Sequence, residues 1–229
     1  MPSLYEDENG VIRALVDQLG HDLEPSILIG GWATFVRVGG EISLDIDLIT
    51  SQESRHKLEQ LMTDLSPSNN HQGRKLRATI DNVHLDIYLP YESQLGGKLR
   101  LKVEVLAEYP DELSFEKWTL LRLEAHIATK MAALLDRHFS EKGQKDAREI
   151  LALLKLDGVD PAGAAEILHR ASTVDIEDLP TMIGQAFDLV GNIIKLSKTD
   201  QKLLLAAKKS WVGELQHRGT QPQTARPRL

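Results

Sequence analysis

The stretch that most constrains this chain is ILIGGWATFVRVGGEISLDIDLIT, residues 27–50. Ile27, Leu28 and Ile29 form an apolar run of the kind that makes a short buried strand, and the run stops at Gly30-Gly31. An amphipathic stretch follows, then Gly39-Gly40, then a second apolar run interrupted by Asp45 and Asp47. Side chains alternate between the faces of a strand, so Asp45 and Asp47 point one way and Leu44, Ile46 and Leu48 the other. Two carboxylates about 7 Å apart along a strand repel unless a cation neutralises them. Mg²⁺ is usually held by one or two carboxylates plus substrate phosphates, and this pair suggests that chemistry. The alternative is two solvated aspartates on an exposed strand face. A strand, a glycine turn and a helix start together also make an anion site, because free backbone N–H groups and the helix dipole point at it. The strand closes in Thr50-Ser51, which predicts a place near a sheet edge where a substrate can reach the pair.

The flanking patterns predict an α/β (α+β) chain. Asn9 to Gly20 is helical in its spacing, with Val11, Ile12, Leu15, Val16 and Leu19 apolar and Gly20 as a stop. Residues 51–65 read as a second helix and 66–73 as a polar loop. Strands are expected at 76–80, 83–89 and 99–106, giving a mixed sheet with flanking helices. In VHLDIYL, residues 83–89, a clean period of two puts Asp86 on the polar face with His84 and Tyr88. Asp81 competes with it but sits at an Asp-Asn turn. From Asp111 the chain turns helical: 120–139, a linker SEKGQ, a helix through Ile150 and Leu154, one opened by Asp160-Pro161, then 175–196 and 198–215. The expected division is residues 1–110, a helical part 111–216, and a disordered tail 217–229.

Composition excludes several classes. With no cysteine there are no disulfides, thiolate metal sites or Cys nucleophiles. No run approaches the roughly 18 apolar residues of a membrane span, and the acidic start MPSLYEDENG is unlike a signal peptide, so a cytoplasmic location is expected. The net charge of −7 argues against a broad surface that coats nucleic acid. It is uneven: from Lys195 onward eight Lys or Arg face two acidic residues, so this segment is +6 and the remainder −13. Such a segment is a solvated helix and tail, or an arm for an RNA backbone.

Gly30-Gly31, some dozen residues, then the Asp45-x-Asp47 strand resembles the signature of the nucleotidyltransferase fold shared with DNA polymerase beta. GGWA…SLDIDL is most similar to the AbiEii-type toxins, including the MenT group of type IV toxin–antitoxin systems. The pattern K-x6-R-x7-KD-x2-E, carried by Lys130, Arg137, Lys145, Asp146 and Glu149, resembles the second AbiEii signature.

The resemblance implies an Mg²⁺-dependent nucleotidyltransferase (Mn²⁺ being the substitute) that moves NMP from an NTP to an acceptor hydroxyl and releases pyrophosphate. In that reading Asp45, Asp47 and Asp86 are metal ligands, and Asp86 also helps deprotonate the acceptor. Gly30 and Gly31 seat the β- and γ-phosphates, and Ser43 fills the small-hydroxyl place before the aspartates. Lys130, Arg137 and Lys145 meet the triphosphate or pyrophosphate, and Asp146 either orients Lys130 or contacts the acceptor. The implied acceptor is the 3′ end of tRNA, and the implied partner a cognate antitoxin. The sequence departs from the pattern at Glu41, where many relatives carry arginine, with Arg37 as a substitute. Two rivals stand beside this reading: a small-molecule, aminoglycoside-type nucleotidyltransferase, and a catalytically degenerate binding module.

Overall fold

The computed structural model describes residues 10, 15, 19, 26–61, 63–67, 75–80, 83–111 and 118–219. Strand β1, Ser26–Ile29, runs straight into helix α1, Gly30–Val38. The junction is possible because Gly30 has φ +70°, a conformation glycine adopts without penalty. Strand β2, Asp45–Thr50, returns antiparallel to β1 with Asp47 opposite Ile29. Helix α2, Gln52–Leu61, leads to strands β3 (Thr63–Pro67), β4 (Leu76–Ile80) and β5 (Val83–Tyr88). A ribbon of β6 (Gln94–Leu95) and β7 (Leu101–Lys102) and a single helical turn, α3 (Val103–Leu106), follow. Strand β8, Thr119–Leu120, then rejoins the main sheet parallel to β1. Five helices complete the described chain: α4 (Leu123–Arg137), α5 (Glu141–Leu154), α6 (Pro161–Ala171), α7 (Leu179–Ile193) and α8 (Lys198–Gly219).

The architecture is α/β: a mixed sheet in the order β3-β4-β5-β2-β1-β8, flanked by helices, with a helical C-terminal half. Alternation along the strands builds a core on each face. On one face Leu28, Ile46, Leu48, Leu85 and Ile87 pack with Leu15, Leu19, Trp32 and Ala33. On the other, Ile29 and Ile49 join the helical half through residues such as Ile127, Met131, Ile150, Phe187 and Trp211. Strand β2 therefore presents Asp45, Asp47 and Ile49 toward the helices. The third is covered by the core, and the two carboxylates lie where it ends.

Several expectations change. β2 is an interior strand between β5 and β1, so the aspartates sit at the start of a central strand, not near a sheet edge. Leu44 precedes the strand and is 61% exposed, so it takes no part in the apolar face. Residues 63–67, expected as helix and loop, form β3 because they pair antiparallel with β4. Only Leu101–Lys102 of the expected strand 99–106 is extended. Val103 and Leu106, both fully buried, are three apart on the α3 turn, a spacing that suits a helix. The linker SEKGQ is the first turn of α5, where the Ser140 hydroxyl accepts from the Gly143 N–H at 3.1 Å. Arg37 is no substitute arginine. It is buried and donates to Asp111 and to the Leu121 carbonyl, tying α1 to the segment around β8.

The expected boundary at 110 falls before β8, so the sheet draws its last strand from the segment assigned to the helical part. Most of the expected N-terminal helix lies outside the described residues, although Gly10, Leu15 and Leu19 are helical. His217, Arg218 and Gly219 end α8, and the rest of the expected tail lies outside the described residues, as does Asp81. No described helix is long and apolar enough to cross a membrane.

Replacing one partner of a buried ion pair leaves the other charge poorly compensated. Arg37→Met should lower the unfolding free energy by roughly 3 kcal/mol, read as a drop in the urea midpoint. An unchanged midpoint would show that Arg37 does not hold α1 in place.

Candidate active site

The site grows from the β1–α1 junction. A β-carbon on Gly30 would stand 2.2 Å from Asp47 Oδ2, so the Asp47 carboxylate occupies the space that a side chain there would take. Helix α1 starts at this carboxylate, and no side chain caps its first turn. Its free N–H groups make this end attractive to an anion. Ser43 and Lys145 close over Gly31: an added β-carbon would lie 3.0 Å from Ser43 Oγ and 3.6 Å from Lys145 Nζ. The Lys145 amine donates to the Ile42 carbonyl at 3.1 Å. Beneath the turn, buried His126 on α4 meets Thr34 Oγ1 at 3.2 Å, and Thr34 donates to the Gly30 carbonyl. Burial, with the Lys130 and Arg37 charges, holds His126 well below the ordinary imidazole value, so it is a neutral support.

The parallel register of β2 and β5 places Asp47 directly opposite Asp86 and Asp45 opposite His84. Their environments differ. Asp86 is buried, which by itself would raise its pKa. Hydrogen bonds and charge from Arg77 and Lys75 outweigh that and hold it below the usual value. Arg77 on β4 donates through Nε at 2.9 Å and Nη2 at 3.3 Å, and Lys75 bonds the same carboxylate. Asp47 has no hydrogen-bond partner among the described residues. Burial and the neighbouring Asp86 push it up to about 6, against the pull of Lys130 and Lys75. Asp45 meets Lys142 at 3.3 Å, a pair whose lysine is 68% exposed.

Helices α4 and α5 supply the opposite wall. They form a hairpin so tight that a β-carbon on Gly143 would lie 2.3 Å from the Arg137 carbonyl. The hairpin brings the expected residues together. Lys130 is buried, 2.5 Å from Glu149 and 3.6 Å from Asp146. Arg137 grips Asp146 with two bonds, 2.7 and 3.0 Å. Asp146 thus meets both Lys130 and Arg137. Burial raises Glu149, and burial with the Lys130 charge lowers Lys145. Glu41, where the resembled motif would have arginine, is bonded by Arg148 at 2.6 and 2.9 Å, so an arginine reaches this loop from α5. A cleft of about 370 Å³ opens here, lined by Glu41, Glu141, Lys142, Gln144, Lys145 and Arg148.

All ten expected site residues thus surround the β1–α1 turn or the wall facing it. Lys75, Arg77, Lys142 and Arg148 were not expected. Among the described residues no set of three or more His, Asp or Glu converges as a ready metal site, since Asp45 faces Lys142 and Asp86 faces Lys75 and Arg77. Asp45 and Asp47 suit a hard, oxygen-seeking cation. Asp47 is an open carboxylate in a repulsive field, and Asp45 is held only by an exposed lysine.

No family model matches the chain, and no curated protein matches it. Among solved structures it is similar to a Thermotoga maritima protein described as a "putative nucleotidyltransferase", with 15% identity over 59% of this chain and 90% of that one, at a TM-score of 0.42. It is also similar to an antigenic nucleotidyltransferase-like protein from Paracoccidioides brasiliensis, with 16% identity over 84% of this chain and 95% of that one, at a TM-score of 0.44.

Asp47 keeps its proton to about pH 6 in the fold, above its ordinary 3.8. The native state therefore binds more protons than the unfolded one between those values, and stability falls as pH rises through that window. In metal-free buffer Asp47→Asn should escape this loss, becoming more stable than the parent above pH 6 by about 2–3 kcal/mol, the equivalent of the shift. The gap should close toward pH 4. A gap that does not change with pH, measured by urea unfolding, would show that burial and Asp86 do not hold the Asp47 proton.

Proposed function

We propose that the chain transfers a nucleoside monophosphate from an NTP to an acceptor hydroxyl. The observation that carries this reading is the abutment of the open Asp47 carboxylate on the uncapped start of α1. A cation site and a phosphate site there share one turn of backbone. Asp45 and Asp47 would hold Mg²⁺ or Mn²⁺, which when bound polarises phosphoryl oxygens. The N–H groups at Gly30 and Gly31 receive phosphate oxygens, with the Ser43 hydroxyl and the Lys145 amine beside them. The acceptor oxygen attacks the α-phosphorus, and the bond to the bridging oxygen breaks with its electrons going to pyrophosphate. Lys130, aligned by Asp146 and Glu149, and Arg137 stand where this negative charge develops. Asp86 accepts the hydroxyl proton only if Arg77 swings aside, because its two cations favour the ionised form.

The proposal extends to a tRNA acceptor, labelled at its 3′ end, with the chain acting as a toxin held in check by a cognate antitoxin. This rests on the motif resemblance and on the basic C-terminal segment. Within that segment Lys208 pairs with Asp188 and Arg218 with Glu166. Lys195, Lys198, Lys202 and Lys209 are exposed and have no ion pair among the described residues. The −13 remainder favours the other acceptor class, a cationic small molecule such as an aminoglycoside.

One set of reactions separates these readings: the chain with labelled NTPs and Mg²⁺, given total RNA or an aminoglycoside. Label in tRNA is expected. Label in the drug alone replaces the RNA acceptor, and no label in either leaves a binding module. Asp45→Asn should abolish transfer in a folded protein. Lys130→Ala should slow it by about 10²-fold or more at saturating NTP, and a loss under about threefold would remove Lys130 from the chemistry.

Phosphate contacts release counterions, so tRNA affinity should fall steeply with salt. Replacing the exposed Lys195, Lys198, Lys202 and Lys209 by Gln leaves Trp211 and Leu215 in the core and should flatten that dependence. An unchanged slope would take the segment out of acceptor binding.

A further inference from the structure

We propose that this site works with one divalent cation, because Lys75 supplies from the protein the positive charge that a second cation would bring to Asp86. The inference rests on the transfer reading above and concerns how the site is charged.

Two-metal phosphoryl-transfer sites place their ions a few ångströms apart, clamping the attacking and leaving oxygens. Such a pair needs carboxylates free to share two ions. Here Asp47 and Asp86 are neighbours across β2 and β5, yet only Asp47 is open. Asp86 has two cationic partners, and these differ in kind. Arg77 lies directly across from it in the β4–β5 ladder, but its side chain is 43% exposed and can move into solvent. Lys75 cannot. Its side chain is 8% exposed and that of Asp86 6%, and the Lys75 amine also lies over the Tyr88 ring, 5.9 Å from its centre.

A buried ammonium needs its counter-ion: drawing Asp86 away to a metal would strand Lys75 without a partner, beside a second cation. Burial and the Asp86 bond therefore favour Lys75 staying in place, with its charge beside Asp86. Asp45 offers the contrast. Its partner Lys142 is 68% exposed and leaves without stranding a buried charge. The pair left for an exchangeable cation is Asp45 and Asp47. Asp86 touches no metal, and its charge acts on Asp47 across the β2–β5 pairing.

The test counts Mn²⁺ by electron paramagnetic resonance on the full chain saturated with a non-hydrolysable NTP analogue. One ion per chain and no spin-coupled pair are expected, and Asp45→Asn should lose that ion. Asp86→Asn alone risks misfolding, because it strands Lys75. The informative variant is the double substitution Lys75→Gln with Asp86→Asn, which exchanges the ion pair for a neutral hydrogen-bonded one. It should still bind one Mn²⁺ with affinity within about threefold of the parent. Two coupled ions in the parent and one in the double variant would make Asp86 a metal ligand and overturn the inference, leaving the transfer reading intact. No ion held by the chain, with Asp45→Asn silent, would overturn the transfer reading and this inference with it.

Discussion

No side-chain carbon fits between Gly30 and Asp47, and the remainder of the site depends on that. With 2.2 Å between the carboxylate and the place of a β-carbon, any larger residue would separate the helix start from the strand it must touch. The positive φ at Gly30 then starts α1 with no intervening loop, so its orientation follows from β1. Arg37, at the other end of the same helix, fastens it to Asp111 and the Leu121 carbonyl. Helix α1, whose first turn no side chain caps, is held at both ends.

The charges of the cleft fall into two classes that burial separates. Lys142 with Asp45 and Arg148 with Glu41 are exposed pairs, each worth about 0–1 kcal/mol. Lys75 with Asp86 and Lys130 with Glu149 are buried, and removing one partner from such a pair costs about 3–5 kcal/mol. An incoming anion or metal can rearrange the first class at little cost. The second stays where the fold puts it, because each of its charges is buried against its partner. Asp47 stands between them, the one carboxylate of the three that the protein leaves without a bond among the described residues.

Much of this could be read from the sequence. The strand, glycine turn and helix at 27–38, the shared face of Asp45 and Asp47, and the polar side of Asp86 all follow from local period and glycine placement. Lys130, Arg137, Lys145 and Asp146 were recognisable as a spaced set, and the hairpin of α4 and α5 brings them together. Arg77 was missed although its pairing is local: β4 and β5 are adjacent antiparallel strands, and Arg77 lies across from Asp86 only nine residues away. Lys75, just before β4, reaches the same carboxylate from eleven residues away. Arg37 was misjudged because its partners lie 74 and 84 residues away. The stretch 99–106 misled because Leu99, Leu101 and Val103 keep a strand period while Val103 and Leu106 satisfy a helical one. Ser140 looked like linker, yet a serine three residues before an amide in need of a partner is also a helix start.

The position of β8 bears on how the molecule is made. Ile27 and Leu28 belong to the first strand of the sheet, and their outer neighbours, Thr119 and Leu120, leave the ribosome some ninety residues later. Until then β1 carries a bare row of backbone donors and acceptors along one side, the kind of rim that recruits strands from other chains. A fragment stopping at residue 110 would keep that rim for good and would lose the α4–α5 wall as well. The β1–α1 turn and the helical half are therefore joined within one sheet, through the pairing of Ile27 with Thr119 and Leu28 with Leu120.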